Sequence, residues 1–144
     1  MSTPTPATAS ALRPERLTKL GFRPDLVVQQ FGVDDDTDEG FRSAVAGHIG
    51  GPLEDENYTG EADAVLLWWR GDDGDLTDAL VDLVGVLGDG GFVVLLTPRA
   101  GHGAVVEASD IEEAAETAGL HASGDFTAAP GWRGIQLRAA KSRR

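Results

Sequence analysis

Two short, almost wholly apolar runs constrain this chain most: Ala62 to Trp69 (ADAVLLWW) and Phe92 to Thr97 (FVVLLT). A strand facing water on one side alternates apolar and polar residues, whereas one covered on both faces does not. The two runs therefore read as interior strands of a sheet with helices on each side. Between them, Asp75 stands where a helix cap belongs, and Leu76, Leu80, Leu83 and Leu87 mark one helical face. Gly88-Asp89-Gly90-Gly91 is expected to close that helix and lead into the second strand. Strand, helix, strand in this order predicts a parallel pair with a right-handed crossover.

The flanks extend the pattern. Pro14 opens a helical turn through Leu17 and Leu20 that stops at Gly21, and Asp25 to Phe31 reads as a strand. Carboxylates from Asp34 to Glu39 precede Phe41, Val45 and Ile49, which fits an amphipathic helix with an acidic entrance, stopped by Gly50-Gly51-Pro52. Ser109-Asp110-Ile111-Glu112 has the form of a capping box, so Ser109 reads as a cap rather than a nucleophile. That helix should run to Ala118 with Gly119 at its C′ position. Leu120 to Thr127 and Trp132 to Leu137, joined around Ala129-Pro130-Gly131, form an expected antiparallel pair. The predicted architecture is one α/β domain over residues 13–138. It has a short Rossmann-like, mostly parallel sheet, helices on both faces and an antiparallel edge strand. Residues 1–12 read as a flexible Thr/Pro/Ala-rich tail and 139–144 as a basic one.

Composition excludes several function classes. The chain has no cysteine, which removes disulfides and cysteine-built zinc sites, and His48, His102 and His121 lack ligand-like spacing, so no metal is expected. No apolar run approaches the ~20 residues of a membrane span, and the N-terminus lacks a signal-peptide pattern, so a cytoplasmic protein is expected. The net charge is −12. All acids except Glu15 and Asp25 fall between Asp34 and Asp125, where the bases are Arg42, Arg70 and Arg99 alone. Such a body repels phosphate backbones, and no nucleic-acid partner is expected.

In open α/β sheets ligands bind beyond the carboxyl ends of the parallel strands. Those ends carry Phe31-Gly32-Val33, Trp68-Trp69-Arg70 and Thr97-Pro98-Arg99, with His102 in the following loop. Trp68, Trp69, Arg70, Thr97, Arg99 and His102 are thus the candidate ligand-binding residues. The arginines offer forks for carboxylate or phosphate, the tryptophans flat faces for a planar or cationic group. A plainer reading makes one tryptophan core, lays the other on a helix, and has the arginines neutralise Asp72, Asp73 and Asp75. No catalytic set stands out. The glycine-rich segments 71–74 and 88–91 contain aspartates that oppose a phosphate. The acidic run from Asp34 lacks the glycine and glutamate of a calcium loop, with Glu39 and Val45 in their places. His102 has no evident orienting partner for a role as base.

The segments ADAVLLWWR, DLTDALVDLVGVLGDGGFVVLLTPRAG and VEASDIEEAAETAGL, with the closing Trp-x-Gly and the earlier FGVDDDTDEGFR, resemble the actinobacterial domain-of-unknown-function family 3052 (DUF3052). That resemblance implies a small protein of unassigned function. The strand, the leucine-rich helix and GGFVVLLTP are also similar to the back half of class I S-adenosylmethionine-dependent methyltransferases. Those enzymes have a GxGxG turn after the first strand and an acid ending the second. Here Phe31-Gly32-Val33-Asp34 stands at the turn, and the gap to Ala62 has room for one helix and a loop, so the cofactor half looks truncated. Two functions follow as expectations. The first is a non-catalytic, cofactor-free binding module for a protein partner or small effector at the rim. The alternative is a minimal methyltransferase-like enzyme or cofactor binder.

Overall fold

The computed structural model describes residues 13–139. The elements in chain order are α1 (Pro14–Leu20), β1 (Val28–Phe31), α2 (Glu39–Ile49), β2 (Ala62–Trp68), α3 (Leu76–Val84), β3 (Leu87–Pro98), α4 (Ala108–Thr117), β4 (Leu120–Ala129) and β5 (Trp132–Ala139). One five-stranded sheet has the order β1-β2-β3-β5-β4. β1, β2 and β3 are parallel, and β5 runs antiparallel to both β3 and β4. The fold is the mostly parallel α/β sheet expected, with its antiparallel pair at one edge. The residues expected to form tails, 1–12 and 140–144, lie outside the described ones, whereas Ala139 belongs to β5.

The apolar runs are explained by two cores, one on each face of the sheet. Ala64, Leu66 and Trp68 of β2, with Phe92, Val94 and Leu96 of β3, pack against Leu17 and Leu20 of α1 and Phe41, Val45 and Ile49 of α2. Val65, Leu67, Val93 and Leu95 point the other way, onto Leu76, Leu80 and Leu83 of α3 and Ile111, Ala114 and Ala115 of α4. Every one of these residues is buried, so alternate side chains of each strand fill opposite layers. Among the described residues, no helix is long and apolar enough to cross a membrane, and no group of three or more His, Asp or Glu is placed to hold a metal ion.

Five local expectations are corrected. β1 starts at Val28 rather than Asp25, because Asp25 has φ 72° and its N–H caps the Ile49 carbonyl of α2. β2 ends at Trp68, so Trp69 lies just past the strand. Leu87 is not the last helical leucine: α3 ends at Val84, and Leu87 pairs with Ala62. The stretch Gly88 to Gly91 then belongs to β3 as an irregularity, with Gly90 in the left-handed region at φ 76°. Finally, Ser109 caps nothing. α4 starts at Ala108 from Glu107, with no side-chain cap bond. Val106 and Ile111 are buried in the same core and bracket that start, in the positions of a hydrophobic staple.

Residues 32–61 contain one helix and a loop, as the gap length predicts. The loop shields the outer edge of β1: the Glu54 backbone N–H donates to the Val28 carbonyl at 2.8 Å, and the Glu54 carbonyl accepts from Gln30 N–H at 2.9 Å. An edge strand left open would invite pairing with another chain.

Candidate functional site

The site begins at the turn after β1. Gly32 has φ 79°, and a Cβ there would lie 2.2 Å from the Trp68 carbonyl oxygen. Only glycine lets the turn lie this close to the end of β2. The Gly32 carbonyl accepts from Arg70 Nη1 at 2.8 Å, and its N–H donates to Glu56 Oε2 at 3.0 Å. Both polar groups of the turn are thus held by the chain's own side chains.

Arg70 joins three segments. Nη1 also donates to the Trp68 carbonyl at 3.0 Å, and Nε donates to Asp36 Oδ2 at 3.1 Å. Nη2 donates to Asp36 Oδ1, and Asp73 accepts from the Arg70 backbone N–H at 2.9 Å. The guanidinium carbon sits 5.3 Å from the centre of the Trp132 ring, whose Nε1 donates to the Asp36 carbonyl at 3.0 Å. This ties the acidic loop, the end of β2 and the start of β5 together. The fork expected to receive a ligand's carboxylate is instead turned onto Asp36.

The hydrogen bond from Arg70 holds the Asp36 carboxyl below its usual range, and Asp36 raises Arg70 in turn. A depressed acid contributes stability that is fully present above its ordinary pKa and lost as pH falls through the lowered one. Because the Asp36 side chain is 55% exposed, solvent screening limits that contribution to about 1 kcal/mol or less. The stability gap between wild type and Asp36→Asn should therefore be constant above about pH 5 and shrink below about pH 4. Urea unfolding at stepped pH checks this, and a gap that persists at full size in strong acid would contradict it.

A cavity of about 460 Å³ opens beside this turn, within the roughly 300–1,000 Å³ range of small-molecule sites. Leu67, Ala79 and Leu83 form an apolar lining, with Phe31 and Trp69 half-buried in it. Asp34, Glu56, Asp73 and Asp82 supply carboxylates, and Arg70 the one guanidinium.

Of the sequence-derived candidates, the structure brings Trp68, Trp69 and Arg70 together in the wall of this cavity, where Trp69 and Arg70 keep exposed surface. Trp68 has no exposed surface: its ring lies edge-on to Phe41 and Trp132, and its Nε1 donates to Gln30. Thr97 is buried as well. Arg99 and His102 are exposed but stand apart, against the β4–β5 turn. Arg99 donates to the carbonyl of Pro130, and the His102 ring packs on Gly131. The expected single rim is thus divided. Sequence reasoning missed Glu56 and Asp82. Glu56 lies in a loop without periodicity, and Asp82 was legible only as a polar residue on α3.

Comparison with known proteins agrees with this architecture. The model of the family described as "Protein of unknown function (DUF3052)" matches residues 17–141. Uncharacterized proteins of Mycobacterium tuberculosis and Mycobacterium bovis are each 41% identical over 125 residues, covering 87% of this chain and 78% of theirs. Among solved structures, a SAM-dependent methyltransferase from Aquifex aeolicus is similar with TM-score 0.61 and 10% identity, covering 94% of both chains. Magnesium protoporphyrin IX methyltransferase from Synechocystis is similar with TM-score 0.56 and 11% identity, covering 88% of this chain and 76% of that one. At such identities the likeness shows the fold alone. By sequence, the chain belongs to the DUF3052 family of proteins of unknown function, built on a methyltransferase-like fold.

Proposed function

We propose that this chain is a non-catalytic binding module that takes a small effector in the cleft beside Gly32. One observation carries the reading: the turn after β1, where class I methyltransferases have GxGxG, is closed by Glu56 on the Gly32 N–H and Arg70 on its carbonyl. S-adenosylmethionine, the cofactor that the fold implies, does not fit this turn. Its backbone donor is occupied by a carboxylate, and its one glycine lies against β2. The cleft residues also lack a reactive pair. Arg70 is the only cation that its carboxylates meet among the described residues, and that contact, with Asp73, holds the backbone together.

Equilibrium dialysis against a metabolite extract from the native host, read by mass spectrometry, tests the reading. Wild type should enrich a compound that is recovered chemically unchanged, and Trp69→Ala should enrich it several-fold less. Recovery of a methylated or otherwise converted compound would contradict it. The methyltransferase-like enzyme is the second reading, and it rests on the shared fold alone. It requires Glu56 to leave the Gly32 N–H.

A further inference from the structure

The charge and surface of this cleft narrow what it can hold. Asp34, Glu56 and Asp82 line it without a cationic partner among the described residues. Arg70, the one guanidinium, is engaged by Asp36 and Asp73. The two groups able to hold a ligand's anion, the Gly32 N–H and Arg70, are already occupied by carboxylates of this chain. An entering carboxylate or phosphate would find like charge, with both of these donors already engaged. A cation finds the reverse. Trp69 and Phe31 are only partly buried against the α3 side and leave aromatic surface beside the carboxylates. An aromatic face beside carboxylates attracts a cation by its quadrupole as well as by charge. The acidic field of residues 34–125 adds long-range attraction for the same sign of ligand.

Resting on the binding reading above, we propose that the cleft binds a small organic cation, an amine or quaternary ammonium with an apolar or aromatic body and no carboxylate or phosphate of its own. The ammonium sits among Asp34, Glu56 and Asp82, and the body lies against Trp69, Phe31 and Leu83.

The test titrates benzyltrimethylammonium and 3-phenylpropionate separately into the full chain at low salt, following the Trp69 indole N–H by NMR. The ammonium should shift it saturably and the carboxylate should not. Asp82→Asn and Glu56→Gln should each weaken the ammonium about two- to fivefold, the range for loss of one exposed charge contact. Trp69→Ala, followed by the Gly32 amide instead, should weaken it about threefold or more. Unchanged melting curves for the two carboxamide variants exclude misfolding as the cause. Carboxylate binding as tight as the ammonium's would overturn the cation assignment and leave the binding reading standing. If neither probe moves Trp69, the cation assignment falls, and the dialysis experiment above decides the binding reading separately. Tighter binding of a lysine-rich pentapeptide than of the small cation would overturn the small-molecule assignment.

Discussion

Replacing Gly32 by alanine should lower the unfolding midpoint by about 10 °C or more, equivalent to roughly 3 kcal/mol for a domain of this size. Two physical causes add. A residue with a Cβ in the left-handed region costs about 1–2 kcal/mol. The new Cβ would also stand 2.2 Å from the Trp68 oxygen, a backbone atom that cannot rotate away. The turn would have to lift from β2, loosening the Gly32 bonds to Arg70 and Glu56. Gly50→Ala separates the causes. Gly50 has φ 82°, nearly the same conformation, but nothing lies within 4 Å of its Cβ position. It should cost about 1 kcal/mol. Equal losses in the two variants would show that the close approach to Trp68 does not constrain the turn.

The adjacent tryptophans should differ just as sharply. Trp68→Ala should cost about 4 kcal/mol, because a fully buried indole leaves a cavity bounded by Phe41 and Trp132. Against a typical domain stability of roughly 5–15 kcal/mol, that brings the fold near its limit. Lost hydrogen bonding adds little, since Gln30 Oε1 still accepts from Arg42 Nε at 3.0 Å. Trp68→Phe, which refills part of the space, should recover about half the loss. Trp69→Ala removes a half-buried ring and should cost about 1–2 kcal/mol, leaving a cooperative transition. Chemical denaturation of the three variants, followed by circular dichroism, measures the order. A larger loss for Trp69 than for Trp68 would contradict the assignment of the two rings to core and cleft.

Much of the fold could be read from the sequence because burial on both faces leaves a plain mark. ADAVLLWW and FVVLLT predict interior strands, and those strands divide their side chains between the two cores. Element ends were less legible. Leu87 continues the leucine spacing of α3, yet pairing with Ala62 draws it into β3. Ser109 has the right neighbours for a cap, but the buried Val106 and Ile111 start α4 earlier. The site was half legible. The carboxyl ends of the strands pointed to Trp69 and Arg70, which meet at the cleft. Which way Arg70 turns depends on Asp36, 34 positions away in the chain, and the occupant of the Gly32 N–H is Glu56, 24 positions away. Neither pairing leaves a periodic or motif-like trace.

The turn after β1 is closed by Glu56 and Arg70, and on the proposed reading the cleft beside it takes a ligand other than S-adenosylmethionine. A titration of S-adenosylmethionine into the isotopically labelled protein, read at the Gly32 amide, tests this directly. The Gly32 resonance should stay in place at millimolar cofactor, whereas Glu56→Ala without any cofactor should displace it by removing its acceptor. Saturable movement of the wild-type Gly32 amide with S-adenosylmethionine would contradict the claim and restore the methyltransferase reading.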